Sequence, residues 1–453
     1  MNCCSYECSY DLPGIAAALP ETYPFLLDSA ANGPLSEYSL LLRTNGEQLC
    51  VQGDGHISGP GDSDGFLNRL NEWYQKEKTH TSGSVKFPFN GGWFLYLGYE
   101  LAAEIEPVVN FPAPQDGFPV AFASRCPAAI YSRADQPGVL QLVAENEALL
   151  SEMRQELDRL QPMAEQRCAQ LTGLKVDQPD SFKKAIKQIH EYILDGDVFQ
   201  VNLSRGWSGE FGERPDSGAL YRSLRKNNPA PFAGMVSWND FVLMSSSPER
   251  LVKLREGEVQ SRPIAGTRPR GSNHDADQAL SRELLAHPKE RAEHIMLIDL
   301  ERNDLGRVCQ PGTVVVDELM VLESYEHVHH IVSNVRGRLR EGMTPVDVIR
   351  AVFPGGTITG CPKVRCMEII AELEDKPRGF YTGSFGYMGL DGSMDLNILI
   401  RSMLLHNKQV SFRTGAGIVS DSVPDCEVTE TEDKARGLLR ALGPVKNVIE
   451  DTI

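Results

Sequence analysis

The chain has 453 residues, 41% hydrophobic and 24% charged, as in a soluble globular protein large enough for one broad α/β domain or two. Its 62 acidic and 45 basic side chains leave a formal net charge of −17, which argues against a nucleic-acid or anionic-membrane surface. A small anionic substrate is compatible with that balance only where local cations or a bound metal receive it.

No apolar run reaches the roughly 20 residues of a membrane span. The opening MNCCSYECSYDLPG has neither the basic flank nor the apolar core of a secretory signal. The ten cysteines show no matched zinc-pair spacing, so reduced thiols and a cytoplasmic location are expected. In chain order, PFLLDSA, YSLLLR and GGWFLYLGY are short apolar runs bounded by Gly, Pro and Asn, which predict strands. ENEALLSEMRQELDRLQPMAEQRC predicts a charged surface helix over about 145–170, and VDQPDSF marks a break. Ala185, Ile186, Ile189, Tyr192 and Ile193 then follow a helical period that Gly196 ends. VFQVNLSR, FVLMSSS and SFRTGAGIV predict strands; HIMLIDLERND, VRCMEIIAELE and EDKARGLLRAL predict helices. The expectation is an α+β fold, with large β-sheets packed together and flanked by helices, divided into residues 1–170 and 178–445.

Two acidic pairs carry the first chemical signal. Glu290 and Glu293 lie three residues apart, as do Glu427 and Glu430, and on a helix that spacing sets both carboxylates on one face. Such oxygen-rich pairs suit a hard cation such as Mg²⁺, although solvated helix faces give the same pattern. PIAGTRPRG, FPGGTITGCPK and GAGIVSDS are glycine-rich turns whose backbone N–H groups could approach an anion. None is a P-loop, because the Lys-Ser/Thr ending is missing. HVHH at 327–330 would put His327 and His329 on one strand face with no evident third metal ligand.

Nine stretches, in order, resemble the chorismate-utilising enzymes, the group of anthranilate, aminodeoxychorismate, isochorismate and salicylate synthases. They are QVNLSR, SSPER, PIAGTRPRG, KERAEH, HHIVSNVRG, GGTITGCPKVR, YTGSFGY, DLNILIR and GAGIVSDS, spread from residue 180 to about 440. The resemblance implies the chorismate-binding fold and an Mg²⁺ cofactor, with Glu293 and Glu430 as direct ligands and Glu290 and Glu427 supporting them. It implies that Glu249 is the acid that protonates the departing 4-hydroxyl of chorismate; a strand-end salt bridge with Arg250 is the structural alternative. His330 would stabilise charge beside the substrate. Tyr381 and Arg401 would clamp the enolpyruvyl carboxylate, and Thr357 and the Gly417 backbone would bind carboxylate oxygens.

Two positions separate the branches. Water-using members carry a lysine where this chain has Gln200, so a water-activating base is not expected. Members that aminate C4 commonly carry a lysine where this chain has Ala265, and PIAGT is the anthranilate-forming pattern. QVNLSR, NPAPF (228–232), FPGGTITGCPK and GGWFLYLGYEL instead resemble aminodeoxychorismate synthase component I, which is the expected branch, with anthranilate synthase component I as the alternative. An acidic binding module without turnover is the non-enzymatic alternative. The resemblance also implies ammonia as co-substrate, delivered by a separate glutaminase subunit in a heterodimer. Asp28 and Ser29 of FLLDSA, with Pro231 and Phe232, resemble a tryptophan-holding pocket.

Overall fold

Along the strand Gly92–Leu97, Trp93, Leu95 and Leu97 belong to one apolar cluster, while Phe94 and Tyr96 belong to another. The same alternation recurs in Ala128–Ser132, where Ile130 and Tyr131 face opposite ways, and in Phe241–Ser247, where Leu243 opposes Val242 and Met244. Successive strand side chains point to opposite faces. Both faces are therefore covered, and this is why these strands read as unbroken apolar runs instead of alternating polar and apolar residues. In a computed structural model, residues 2–8, 10–31, 38–79, 87–114, 116–133, 135–161, 170–271, 273–324, 328–444 and 448–450 are described.

Two large sheets result. One runs from Asn2–Glu7 through Val139–Ala144, Ala128–Ser132, Ser39–Arg43, Phe25–Asp28, Phe232–Trp238, Phe241–Ser247, Ser402–His406 and Gln409–Ile418 to Gln200–Phe211 and Leu171–Val176. The other runs from Ile264–Pro269 through Val328–Arg338, Glu258–Ser261, Arg250–Arg255, Met394–Asn397, Ser384–Gly389, Gly92–Leu97 and Ala121–Cys126 to Gln48–Val51. Residues from both halves of the chain share each sheet: Leu26 pairs with Met235, and Phe94 with Tyr387. The boundary expected near residue 170 is thus crossed by hydrogen-bonded strands in both layers.

Between the sheets lies an aromatic layer in which Phe25 stacks on Phe94 with ring centroids 4.1 Å apart, beside Phe122 and Phe385. Outside the first sheet pack Leu12–Ala18, Glu147–Asp158, Ser217–Asn227 and Pro424–Leu442; outside the second pack Phe66–Glu77, Pro288–Gly306 and Pro345–Val352. The helix expected over 145–170 spans Glu147–Asp158, with Leu150, Met153 and Leu157 buried against the first sheet; residues 162–169 lie outside the described residues. Helices Pro179–Leu194 and Lys363–Glu374 bury Phe182, Ile186, Ile189, Ile369 and Ile370 against Val201, Leu203, Ala416 and Ile418. Strand alternation then turns Gln200, Asn202 and Ser204 the other way, which is what supplies polar side chains to the site.

The layer order is helix, sheet, sheet, helix, an α+β sandwich with its core split by the two sheets. Phe94→Ala empties the middle of the aromatic layer and is expected to cost about 3–5 kcal/mol by chemical denaturation. Val108→Ala, at a residue 62% exposed, is expected to stay within about 0.5 kcal/mol.

Candidate active site

Glu249 follows the strand Phe241–Ser247, and its position is fixed by backbone bonds on both sides. Its N–H donates to Ser247 Oγ at 3.2 Å, and its carbonyl accepts from Ile398 N at 3.0 Å. Arg250 does not pair with it. That guanidinium makes two bonds to Asp395, at 2.8 and 3.0 Å, so the salt-bridge alternative is not realised. Burial drives the Glu249 carboxyl up to about 7 and Glu301 pushes it further up, against the opposing pull of the nearby Thr357 hydroxyl, the Ile264 backbone and Lys434. At neutral pH a large fraction of Glu249 is therefore a neutral acid able to donate a proton.

His330 sits on Val328–Arg338, buried, with its ring bonded to the Gly266 backbone. Burial and the nearby Arg401 lower it to about 4, so it is uncharged near pH 7 and can act there as a hydrogen-bonding dipole. His329 turns to the opposite side, with Nε2 2.9 Å from Asp277 and Nδ1 2.7 Å from Ser324. His327 lies outside the described residues. Ala265, buried, pairs in register with Ile331, one residue from His330.

Tyr381 is buried, and burial raises its hydroxyl to about 12, so it stays protonated. Arg401 has φ +54°, and Thr382, beside Tyr381, has φ +63°. For side chains of this size these are outlier conformations, each costing of order 1–3 kcal/mol. They are held by short links: Thr382 N to Leu399 O at 2.8 Å, and Ser246 N to Arg401 O at 3.1 Å. Enclosure lowers the Arg401 pKa, against the attraction of Tyr381 and Glu430. Gly417 pairs with Asn202 across the sheet, and a methyl added at Gly417 would stand 2.3 Å from Gln200 Nε2. Glu249, Thr357, His330, Tyr381, Arg401, Gln200, Ala265 and Gly417 therefore converge, through these neighbours, on one region at the joined ends of both sheets.

The acid pairs frame this region without closing on each other. Glu290 and Glu293 lie on Pro288–Gly306, and Glu427 and Glu430 on Pro424–Leu442. Glu290 pairs with Arg268 at 3.3 Å, and Glu430 with Lys434 at 2.8 Å. Among the described residues, no three His, Cys, Asp or Glu side chains are gathered closely enough to hold a metal ion. The donor chemistry fits a hard cation, whereas in this arrangement the charges of Arg268 and Lys434 lie against two of the four carboxylates.

Sequence reasoning missed the residue that ties these segments together. Arg378 is buried, bonds Glu374 through Nε at 3.0 Å and Nη2 at 2.7 Å, and donates to the carbonyls of Asn202 at 2.8 Å and Ile358 at 3.0 Å. Its only signal was a Glu–Arg pair four apart, which reads as a helix-end surface pair. Asp28, Ser29, Pro231 and Phe232 together line a cavity of about 130 Å³ between the sheets. Asp28 Oδ1 accepts from Ser39 at 2.7 Å, and Oδ2 from Tyr221 at 2.9 Å and Arg225 at 3.0 Å, so both its oxygens are engaged.

Two outcomes follow from this geometry. Arg378→Gln leaves Glu374 with Arg413 as its remaining cation and strips the Asn202 and Ile358 carbonyls of their donor, and is expected to cost about 3–5 kcal/mol in denaturant unfolding. For Glu249, the folded carboxyl titrates near 7 against 4.5 when free, so between those values the folded state binds more protons and stability falls as pH rises. Glu249→Gln should remove that slope and gain stability relative to the parent at pH 8 more than at pH 4, measured by unfolding at both.

Similarity to known proteins identifies the family. The family model described as chorismate binding enzyme matches residues 37–440. An anthranilate synthase component I-like protein of Synechocystis is 41% identical, covering 95% of this chain and 87% of its own length. Aminodeoxychorismate synthase component 1 of Bacillus subtilis is 40% identical (92% and 91%), and anthranilate synthase component 1 of Pseudomonas aeruginosa 41% (96% and 92%). Anthranilate synthase component I from Streptococcus pneumoniae superposes with a TM-score of 0.78 at 31% identity, over 88% of this chain and 92% of that one. The menaquinone-specific isochorismate synthase of Escherichia coli shares the fold at 0.73 and 17% identity, over 97% and 94%. No helix among the described residues is long and apolar enough to cross a membrane. Taken with a buried acid, a neutral histidine and an arginine–tyrosine pair at the shared end of two sheets, these matches show that the chain belongs to the chorismate-binding enzyme family.

Proposed function

We propose that this protein is a component I aminodeoxychorismate synthase, which replaces the 4-hydroxyl of chorismate by an amino group and releases water, on the route to 4-aminobenzoate and folate. The observation that carries the chemistry is Glu249, buried and with its pKa raised to about 7 beside Thr357. A poor leaving group such as hydroxide departs readily only when protonated, and a carboxylic acid kept neutral at working pH supplies that proton. Arg401 and Tyr381 would hold the enolpyruvyl carboxylate, the guanidinium by paired hydrogen bonds and the phenol by one. Thr357 and the Gly417 backbone would take further carboxylate oxygens. His330, uncharged, would lend a dipole next to the ring without adding a competing proton donor.

Glu290, Glu293, Glu427 and Glu430 are the residues that would hold Mg²⁺. When bound, such an ion supplies Lewis-acid polarisation of the carboxylate-bearing diene. Binding requires that Arg268 and Lys434 release Glu290 and Glu430. Ammonia would come from a separate glutaminase subunit in a cytoplasmic heterodimer, in keeping with the component naming of the relatives. The cavity at Asp28, Ser29, Pro231 and Phe232 would take tryptophan. With Asp28 already engaged, the ligand's ammonium would have to compete with Arg225 for it.

The branch rests on QVNLSR, NPAPF and FPGGTITGCPK. Ala265 favours the second reading, an anthranilate synthase component I in which ammonia attacks C2 and pyruvate is lost. The assay is chorismate, Mg²⁺ and an ammonium salt at alkaline pH, with and without aminodeoxychorismate lyase. Lyase-dependent 4-aminobenzoate is expected; anthranilate without the lyase would replace this reading by the second. Glu293→Gln and Glu430→Gln are each expected to lower Mg²⁺-dependent turnover by about 100-fold or more, the effect of losing several kcal/mol of charge stabilisation. Unchanged turnover in both variants would remove these residues from the metal site.

A further inference from the structure

Glu100 belongs to the stretch GGWFLYLGYEL in the first half of the chain, far in sequence from Tyr381. It is 6% exposed, and its carboxylate is aimed at main chain. Oε1 accepts the Arg378 N–H at 2.7 Å, and Oε2 accepts the Gly379 N–H at 3.0 Å. Two consecutive backbone N–H groups on one anion make charge-assisted bonds, stronger than those to a neutral acceptor. Burial pushes the Glu100 carboxyl up to about 7, against the pull of both N–H groups and of Arg378, so at alkaline pH it is the anion.

The neighbouring residues press the same two segments together. Tyr99 N–H donates to the Gly379 carbonyl at 2.8 Å, and the Tyr99 ring lies 4.8 Å from the Arg378 guanidinium. Gly379 takes φ +59°, a left-handed conformation that glycine adopts without strain. A methyl at Gly98 would stand 3.2 Å from the Gly379 carbonyl oxygen, and one at Gly383 would stand 3.1 Å from Gly98 Cα. Bare glycines thus let the two main chains meet.

Tyr381 is rooted on this turn. Its N–H donates to the Arg378 carbonyl at 3.0 Å, which closes the turn on itself. At the far end of the side chain, a methyl at Gly415 would stand 2.7 Å from the Tyr381 hydroxyl, so the phenol spans to bare backbone. The Arg378 guanidinium anchors the turn through a side chain, whereas Glu100 anchors its main chain. A shift of that main chain is carried directly to the phenol.

We propose that Glu100 is a positioning residue for the carboxylate clamp: by holding the Arg378 and Gly379 N–H groups it sets where Tyr381 presents its hydroxyl to the enolpyruvyl carboxylate. The inference rests on the clamp assigned above to Tyr381, and it holds for either aminated product. A glutamine at this position keeps the shape but carries no charge and one acceptor oxygen. Its amide nitrogen, a donor, then faces the second N–H, so the turn loses a bond.

The test is steady-state kinetics of the full chain with chorismate, Mg²⁺ and ammonium chloride at alkaline pH, followed by loss of chorismate. Glu100→Gln and Tyr381→Phe are combined in a double-mutant cycle. Tyr381→Phe should raise KM for chorismate about tenfold, the loss of one hydrogen bond to a charged group. Glu100→Gln should raise it about fivefold with kcat changed less than about twofold, and Glu100→Asp, which keeps the charge at shorter reach, should fall between that and the parent. The double variant should be no worse than Tyr381→Phe, because Glu100 acts through a hydroxyl already removed. Effects that multiply in the double variant would overturn the proposal, as would a Glu100→Gln variant that loses kcat with chorismate KM unmoved. If thermal melting shows Glu100→Gln unfolded, Glu100→Asp takes its place in the cycle and is judged by the same rule. If the parent does not consume chorismate, or Tyr381→Phe leaves its KM unchanged, the functional reading of the clamp fails and the positioning role with it. If Tyr381→Phe raises KM and the Glu100 variants behave like the parent, only the positioning role fails.

Discussion

One guanidinium holds the site in register. Arg378 reaches the Asn202 carbonyl on the polar strand, the Ile358 carbonyl in the turn that carries Thr357, and the Thr382 hydroxyl at 3.3 Å next to Tyr381. Its plane lies over the rings of Tyr99 and Tyr381, at 4.8 and 5.6 Å from their centroids. Glu374 answers its charge and also accepts from Ser204 N, Ser204 Oγ and Arg413 at 2.8–2.9 Å. A buried ion pair adds little net stability over apolar packing. What it supplies is fixed relative placement of three segments that are 20 to 180 residues apart in sequence. Arginine suits this task because five donors in one rigid plane can meet several acceptors at once.

The strained residues depend on that frame. Thr382 and Arg401 both take positive φ, which the chain tolerates only where surrounding bonds overdetermine it. The bonds from Thr382 to Leu399 and from Ser246 to Arg401 join the loop after Tyr381 to the strand ends beside Glu249. The strain thereby sets the acid, the phenol and the guanidinium within one region. Glu100 ties the same loop from the other side by accepting the N–H groups of Arg378 and Gly379, at 2.7 and 3.0 Å.

Much of the fold was legible because both faces of the strands are buried. GGWFLYLGY and FVLMSSS announce themselves as apolar runs, and the helices Pro179–Leu194 and Lys363–Glu374 show their period directly. The sharing of each sheet by both halves of the chain was not legible. Pairing such as Leu26 with Met235 is long-range and leaves no local pattern. Glu249, His330 and Tyr381 were found by motif resemblance; their protonation was not, since it depends on burial that only the packed sheets create. Arg378 was missed because its partners are backbone carbonyls, which every residue possesses. Asn202 appeared in the sequence as a branch fingerprint, whereas its backbone bonds to Thr359 and Arg378 depend on long-range packing.

Charge gives the remaining constraint. A protein of net charge −17 that receives a dicarboxylate must concentrate its cations at the site, and Arg401, Lys434 and Arg268 are there. Two of them lie against acids that the proposed metal would claim, Lys434 on Glu430 and Arg268 on Glu290. Filling the site with a divalent ion would free those two cations at the moment a dianion arrives, so the metal and the substrate would favour each other's binding through shared partners. Cooperation of this kind follows from reciprocity: if the ion tightens the substrate by some factor, the substrate tightens the ion by the same factor.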